Sequence, residues 1–155
     1  MSFPYMTEEP FNPPRAAASG HELLRGSSRV LVAEDDADVR LMMKRLLGVR
    51  GYRVSEARDG QETLDAARAE RPDLILMDLQ LPRLNGFAVA RFVRQTDGLR
   101  DVPIIVVSAH DPAKHRNLAL AAGCNAYVQK PVDFDALDDL MVGLLGRQTA
   151  GGRGR

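Results

Sequence analysis

Between Arg29 and Leu145, short apolar runs alternate with segments whose apolar residues recur at helical spacing. The apolar runs have the length and composition of strands buried in a parallel sheet. The five predicted strands cover residues 30–33, 52–56, 74–77, 102–107 and 126–128. The predicted helices cover residues 39–47, 61–70, 112–123 and 134–145, and another begins at Asn85 or Gly86. This alternation predicts a parallel sheet with right-handed crossovers and helices on both faces.

Five βα units in one stretch predict an α/β, doubly wound (βα)5 fold, a three-layer sandwich with a five-stranded parallel sheet in the flavodoxin-like order 2-1-3-4-5. The domain is expected to span residues 29–146. Residues 1–28 contain four prolines and have no periodic apolar face. They are therefore expected to form a disordered or loosely attached extension. Residues 147–155 are rich in glycine and arginine and are expected to form a flexible tail.

The first predicted helix has an apolar stripe and an outward face. The stripe is expected to consist of Val39, Met42, Met43, Leu46 and Leu47. The outward face is expected to carry Arg40, Leu41 and Lys44. An exposed leucine between cations suits contact with a helix bundle, although single exposed leucines are common.

Composition and charge exclude several classes of protein. Lys and Arg together number 21, as do Asp and Glu, so the chain lacks the basic excess of a nucleic-acid or membrane-surface binder. No apolar run approaches the roughly 18 residues of a membrane span. Glu8 and Glu9 stand where a signal peptide would be apolar. The single cysteine, Cys124, excludes an internal disulfide and agrees with a reducing compartment. A cytoplasmic protein without direct nucleic-acid or membrane contacts is expected.

Polar residues stand where the predicted strands end. Glu34 and Asp35 follow the first strand, Asp78 follows the third, Ser108 the fourth and Lys130 the fifth. The carboxyl ends of parallel strands meet at one edge, and strands 1 and 3 are neighbours in the predicted order. Three carboxylates are therefore expected to converge there and to repel one another. A hard divalent cation such as Mg²⁺ would resolve this repulsion.

The remaining strand-end groups suit phosphoryl chemistry. Lys130 offers a compact positive charge and Ser108 a hydroxyl, and both are suited to phosphoryl oxygens. With Asp78 as a carboxylate nucleophile and Mg²⁺, these groups form a site that could make an aspartyl phosphate. Taken alone, Asp78 could equally cap the turn that follows its strand.

From about Arg29 to Leu145 the chain resembles a two-component response-regulator receiver domain of the chemotaxis type. The matching residues are the acidic pair Glu34-Asp35, the phosphoacceptor Asp78, the switch hydroxyl Ser108, the switch aromatic Tyr127, and Lys130-Pro131. Ser108 stands where threonine is commoner in the family. The whole set in this order is specific, whereas each part alone is weak.

The resemblance implies how the metal is held. Asp35 and Asp78 would ligate Mg²⁺ or Mn²⁺ directly, together with the backbone carbonyl of Gln80, and Glu34 would act largely through water. It also implies a cis Lys130–Pro131 bond, which would aim the lysine into the site.

The resemblance further implies a single-domain response regulator. Asp78 would take a phosphoryl group from a histidine kinase, a histidine phosphotransfer protein or a small phosphodonor, with self-phosphorylation and auto-dephosphorylation as its only chemistry. Ser108 would move toward the new charge, and Tyr127 would turn into the vacated space. Gln80 and His110 would tune hydrolysis of the phosphoaspartate.

The changed surface would comprise the fourth predicted helix, the fifth strand and the fifth helix, and a downstream target protein would bind it. A homodimer through the fourth and fifth predicted helices is compatible with this interpretation, and no residue decides it. Only about ten residues follow Leu145, so an attached output domain is not expected. His21 and His115 have no neighbouring metal-binding or catalytic group in the sequence.

Three alternative functions differ from a receiver domain in what they require of the sequence. A nucleotide-binding enzyme would carry a glycine-rich loop after the first strand, where Glu34-Asp35-Asp36 stands instead. A magnesium-dependent aspartyl-phosphate hydrolase would place its nucleophile on the first strand and would need a cap for which the chain has no room. A phosphorylation-independent interaction module on the same fold stays open, although the intact acceptor set argues against it.

Overall fold

The computed structural model describes residues 20–150. The strands are β1 (Arg29–Ala33), β2 (Arg53–Ala57), β3 (Leu74–Met77), β4 (Ile104–Ser108) and β5 (Ala126–Gln129). The helices are α1 (Gly20–Ser27), α2 (Ala37–Val49), α3 (Gly60–Glu70), α4 (Gly86–Gln95), α5 (Pro112–Ala121) and α6 (Phe134–Ala150). None of the helices in this part of the chain is both long and apolar enough to cross a bilayer.

The strands form one parallel sheet in the order β2-β1-β3-β4-β5, which confirms the predicted fold class. All four residues of β3 are buried, because β3 lies at the centre of the sheet with helices on both faces. The register pairs Ala33 with Met77, the last residues of β1 and β3, so these two strands end level. Met77 pairs with Val106, and β4 continues beyond that pair to Ser108. The amide of Asp78 donates to the carbonyl of Ala33 at 3.0 Å, which extends the pairing one residue beyond the strand.

Alternation along the strands supplies two cores, one on each face of the sheet. Val30 and Val32 pack toward α2 and α6, and Leu31 and Ala33 pack toward α3, α4 and α5. This division follows from the two-residue period of a strand. Each core includes residues from several strands, so the packing of both cores fixes the positions of the strands.

The apolar stripe of α2 is narrower than predicted. Met43 and Leu47 are buried, whereas Met42 is 47% and Leu46 38% exposed. Successive helical residues point about 100° apart, so a helix that packs on the sheet along one row leaves the adjacent row outside. Leu41 is exposed, as predicted.

The prediction for residues 1–28 needs correction over Gly20–Ser27, which forms α1 and packs against α6. Leu24 joins the α2–α6 core, and the guanidinium of Arg25 makes two hydrogen bonds with Asp138, at 2.7 and 3.2 Å. An eight-residue helix has little stability alone. Its stabilising partner lies 113 residues away in the chain, so local sequence does not reveal it. Residues 1–19 lie outside the described part.

The predicted C-terminal tail also needs correction. Helix α6 continues past Gly146 to Ala150, so residues 147–150 belong to the helix. Gly146 is a half-buried residue within the helix, and a Cβ at this position would lie 3.8 Å from Cδ1 of Leu24. Residues 151–155 lie outside the described part.

Asp138, on α6, joins this helix to α1 and to the segment between α2 and β2. Its side chain is 5% exposed and accepts hydrogen bonds from the hydroxyl of Tyr52 at 2.6 Å and from Arg25 and Arg50. Burial alone would raise the pKa of Asp138, but the bonds from Arg25 and Tyr52 outweigh it and lower that pKa. Burial and the adjacent carboxylate raise the pKa of Tyr52, so the phenol stays a donor.

Replacement of Asp138 is expected to destabilise the fold in a pH-dependent way. Asp138→Asn leaves two arginines without their buried carboxylate and should lower the free energy of unfolding by about 3 kcal/mol near neutral pH. Because the folded-state pKa is lowered, the wild-type advantage is present above the unfolded value of about 3.9 and is lost as pH falls through the folded-state pKa. Urea unfolding of both proteins at several pH values measures this difference.

The neighbouring substitution Asp139→Asn is the matched control, because Asp139 is exposed on the same helix. Its effect should stay within about 0.5 kcal/mol. Equal losses in the two variants would contradict a special role for Asp138.

Candidate functional site

Three carboxylates meet at the carboxyl edge of the sheet, as the sequence predicts. Glu34 and Asp35 follow β1, Asp78 follows β3, and one oxygen from each lies within 4.8 Å of the other two. Glu34 is 3% and Asp78 9% exposed, whereas Asp35 is exposed. The cluster therefore has a buried floor and opens to solvent on the Asp35 side.

Lys130 bridges the two buried carboxylates. Its Nζ donates to Oδ2 of Asp78 at 2.9 Å and to Oε2 of Glu34 at 3.0 Å. Its backbone N–H donates to the carbonyl of Ser108 at 2.8 Å, and the Lys130–Pro131 bond is cis, as the resemblance implies. The loop after β5 is thus attached to the end of β4 with its lysine aimed into the site.

The electrostatics of the cluster remain unbalanced. Burial raises the pKa of Glu34 and the charge of Asp78 adds to this, so the lysine compensates only in part. Burial lowers the pKa of Lys130, but its hydrogen bonds to Asp78 and Glu34 outweigh burial and raise it overall. One ammonium faces three carboxylates, an excess of two negative charges when all are ionised. A set of hard oxygen donors with this excess and a solvent-facing side fits Mg²⁺ or Mn²⁺.

The loop after β3 fixes the orientation of Asp78. The amide of Gln80 donates to Oδ1 of Asp78 at 3.0 Å, while the Gln80 side chain is exposed. Gly86 begins α4 directly against this loop, and its amide donates to the carbonyl of Leu79 at 2.9 Å. A Cβ on Gly86 would lie 2.9 Å from the carbonyl oxygen of Asp78, so only glycine fits without a shift. The start of α4 and the Asp78 peptide are therefore in direct contact.

Ser108 and Tyr127 are both hydrogen-bonded to the backbone of His110. Ser108 is fully buried at the end of β4, and its Oγ accepts from the amide of His110 at 3.2 Å. The hydroxyl of Tyr127 donates to the carbonyl of His110 at 2.9 Å. The loop from β4 to α5 thus links the two residues predicted to act as a switch.

Sequence reasoning missed two features near the site. Arg40 was expected on the outward face of its helix, yet its side chain is only 14% exposed and its Nη1 donates to the carbonyl of Glu34 at 2.8 Å. An arginine one turn into a helix can reach the carbonyls that precede the helix, and this spacing was the available signal. The rings of His110 and His115 lie 4.9 Å apart, a contact between a loop and a helix that their separation in sequence does not reveal.

The chain matches a known protein family. A family model described as the response regulator receiver domain matches residues 30–141. The response regulator MprA of Mycolicibacterium vanbaalenii is 40% identical over 121 residues, which cover 78% of this chain and 52% of that protein. The chain thus spans about half the length of the curated relatives it matches.

Solved structures agree with this match. The receiver domain of the sensor histidine kinase PA1611 from Pseudomonas aeruginosa, which has a magnesium ion coordinated in its active-site cleft, is 33% identical with a TM-score of 0.72, over 77% of this chain and 98% of that chain. The chemotaxis response regulator CheY4 of Vibrio cholerae is 28% identical with a TM-score of 0.71, over 76% of this chain and 98% of that chain.

Gly86→Ala is expected to destabilise the fold through the site. The added methyl meets backbone atoms of Asp78 and Leu79, which cannot turn away as a side chain can. We expect a loss of about 1–3 kcal/mol in the free energy of unfolding, measured by urea denaturation.

Gly48→Ala is the control, since its Cβ would meet no atom within 4 Å and the residue is exposed within α2. It should be stabilising by up to about 1 kcal/mol. If Gly86→Ala behaved in the same way, the contact between α4 and the Asp78 peptide would be too loose to orient the carboxylate.

Proposed function

The chain belongs to the response regulator receiver domain family, and on this basis we propose that it is a phosphorylation-controlled switch whose acceptor is Asp78. The observation that carries the proposal is the position of this carboxylate. Asp78 lies at the end of a buried strand, one oxygen bonded to Lys130 and the other to the Gln80 amide, beside two further carboxylates. A structural cap would have no need of the lysine or of the acidic pair.

The proposed reaction is a transfer to a carboxylate oxygen. An oxygen of Asp78 bonds to phosphorus while the bond from phosphorus to a histidine nitrogen of the donor protein breaks, and the electron pair of that bond stays with the nitrogen. With acetyl phosphate as donor, the pair stays with the departing acetate oxygen. No base is required, because an ionised carboxylate has no proton to lose. Lys130 stabilises the negative charge on the phosphoryl oxygens.

Asp35 and Asp78 would hold a divalent cation, with the backbone carbonyl of Gln80, and Glu34 would act through water. The charge excess of the cluster supports this assignment, as does the magnesium ion in the cleft of the Pseudomonas receiver domain. When bound, Mg²⁺ neutralises charge on the phosphoryl oxygens. Lys130 approaches from the Asp78–Glu34 side, and the open Asp35 side is left for the cation and the donor.

The switch would run through Ser108 and Tyr127. A phosphoryl group on Asp78 offers strong acceptors to the hydroxyl of Ser108, which in this structure accepts from the amide of His110. Movement of Ser108 would pull the loop that carries His110, and Tyr127 is bonded to the carbonyl of that residue. The surface of α5, β5 and α6 would then change between two states. The His110 and Gln80 side chains would tune hydrolysis of the phosphoaspartate.

We propose a histidine kinase or a histidine phosphotransfer protein as the phosphoryl donor, and a downstream protein as the target of the signal. Self-phosphorylation and auto-dephosphorylation would be the only chemistry. A homodimer through α5 and α6 stays part of the proposal. The proposed location is the cytoplasm, where reducing conditions leave the buried thiol of Cys124 free.

Phosphorylation of Asp78 is tested by intact-protein mass spectrometry after incubation with acetyl phosphate and Mg²⁺. The wild type should gain one phosphoryl group, and EDTA should abolish the gain because the cluster would lose its cation. Asp78→Asn removes the nucleophilic oxygen and should gain none.

The control is Asp38→Asn, an exposed carboxylate close to the site in sequence, which should be modified like the wild type. A phosphoryl group that survives Asp78→Asn would exclude Asp78 as the acceptor. No modification of the wild type by acetyl phosphate or by a phosphorylated histidine phosphotransfer protein would favour a phosphorylation-independent interaction module.

Mg²⁺ is expected to raise the midpoint temperature of unfolding, because it binds the folded cluster and not the unfolded chain. Asp35→Asn should remove most of this rise, and it should not lower the midpoint without Mg²⁺, since it removes one of three repelling charges. Asp38→Asn should keep the full rise. Equal Mg²⁺ responses in both variants, recorded by thermal denaturation, would exclude Asp35 as a ligand.

A further inference from the structure

We propose that Arg40, oriented by Glu56, is a positioning residue that holds the Glu34–Asp35 backbone in the conformation required for cation binding. This inference rests on the function proposed above. Arg40 lies in the first turns of α2, and its guanidinium lies beneath the loop that joins β1 to α2. It would act on the site through the peptide backbone, without touching the reacting groups.

The hydrogen bonds of Arg40 determine this role. Its Nη1 donates to the carbonyl of Glu34 at 2.8 Å and to the carbonyl of Asp35 at 3.5 Å. Both acceptors are backbone oxygens, so Arg40 leaves the carboxylates of Glu34 and Asp35 available to a cation. The arginine thus fixes the backbone of the acidic pair and does not compete with a cation for the carboxylates.

Glu56 orients the guanidinium from the adjacent strand. Its Oε1 lies 3.8 Å from Nε of Arg40, and its Oε2 lies 3.5 Å from Nζ of Lys44. Glu56 pairs with Val32 in the register of β1 and β2, two residues before Glu34. The edge strand of the sheet is in this way coupled to the loop that carries the acidic pair.

The loop has a second anchor at Asp36, whose side chain caps α2 by accepting from the amides of Asp38 and Val39. The Asp36 cap fixes the start of the helix, and Arg40 fixes the two peptides before the cap. Asp35 is exposed, so its position depends on its own backbone more than on packing. Loss of the Arg40 bonds would free the residue proposed to ligate the cation directly.

Electrostatics and positioning predict opposite effects on cation affinity. Arg40 is a positive charge near the cation site, so removing it should tighten Mg²⁺ binding if charge alone mattered. If Arg40 positions the loop, removing it should weaken binding. The direction of the change therefore separates the two roles.

The experiment is isothermal titration calorimetry of Mg²⁺ into the full chain, which does not depend on phosphorylation activity. Arg40→Gln should raise the dissociation constant about 10-fold, the size of change typical when a residue that orients a metal ligand is lost. Arg40→Lys keeps the charge and loses the planar fork, and it should also weaken binding. Glu56→Gln should weaken binding less, since the carbonyl bonds remain.

Arg45→Gln is the matched control, because Arg45 is exposed on the same helix, and its dissociation constant should equal that of the wild type. Tighter or unchanged binding in Arg40→Gln, or unchanged binding in Arg40→Lys, would overturn the proposal. If Arg40→Gln fails to fold by circular dichroism, Arg40→Lys decides the question, because it keeps the charge. A wild type that binds no Mg²⁺ would overturn the proposed function itself, and the inference with it.

Discussion

The site depends on a conflict of charge that the sheet imposes. Parallel strands of nearly equal extent end at one level, so the residues after β1 and β3 must lie side by side. Here those residues are acidic, two of them are buried, and one lysine is bonded to both. Packing in two apolar cores prevents the strand ends from separating to relieve the repulsion. The fold thereby maintains an excess of negative charge at a site that is open to solvent, and this site favours the binding of a cation.

The fold and most of the cluster could be predicted from the sequence because both follow from local patterns. Buried strands are short apolar runs, and groups at their carboxyl ends must converge in a doubly wound sheet. For this reason the sequence alone predicts one site that contains Glu34, Asp35, Asp78 and Lys130. The proposed roles of these residues and of Ser108 and Tyr127 stay predictions.

What the sequence did not reveal depends on contacts between distant segments. The sequence of helix α1 contains only two leucines, and its stabilising contacts are with distant segments. Leu24 packs against the α2–α6 core, and Arg25 bonds to Asp138, more than one hundred residues later. The outward row of α2 was predicted from helical spacing, which assigns a face but does not measure how wide the packed stripe is. The prediction that Arg40 faces outward was wrong for a related reason. Its long side chain extends back along the helix and reaches a carbonyl that precedes the first turn.

The two basic residues next to the acidic pair contact different kinds of oxygen. Lys130 donates to the carboxylates of Glu34 and Asp78. Arg40 donates to backbone carbonyls and forms an ion pair with Glu56, which lies outside the cluster. An ammonium on a flexible stem can release a carboxylate and follow a phosphoryl group, whereas a guanidinium bonded to two peptides is suited to stay in place. The loop can thus remain fixed while the charge beside Asp78 changes. Under the proposed phosphorylation of Asp78, Lys130 and Ser108 would move while Arg40 keeps its bonds to the backbone of the acidic pair.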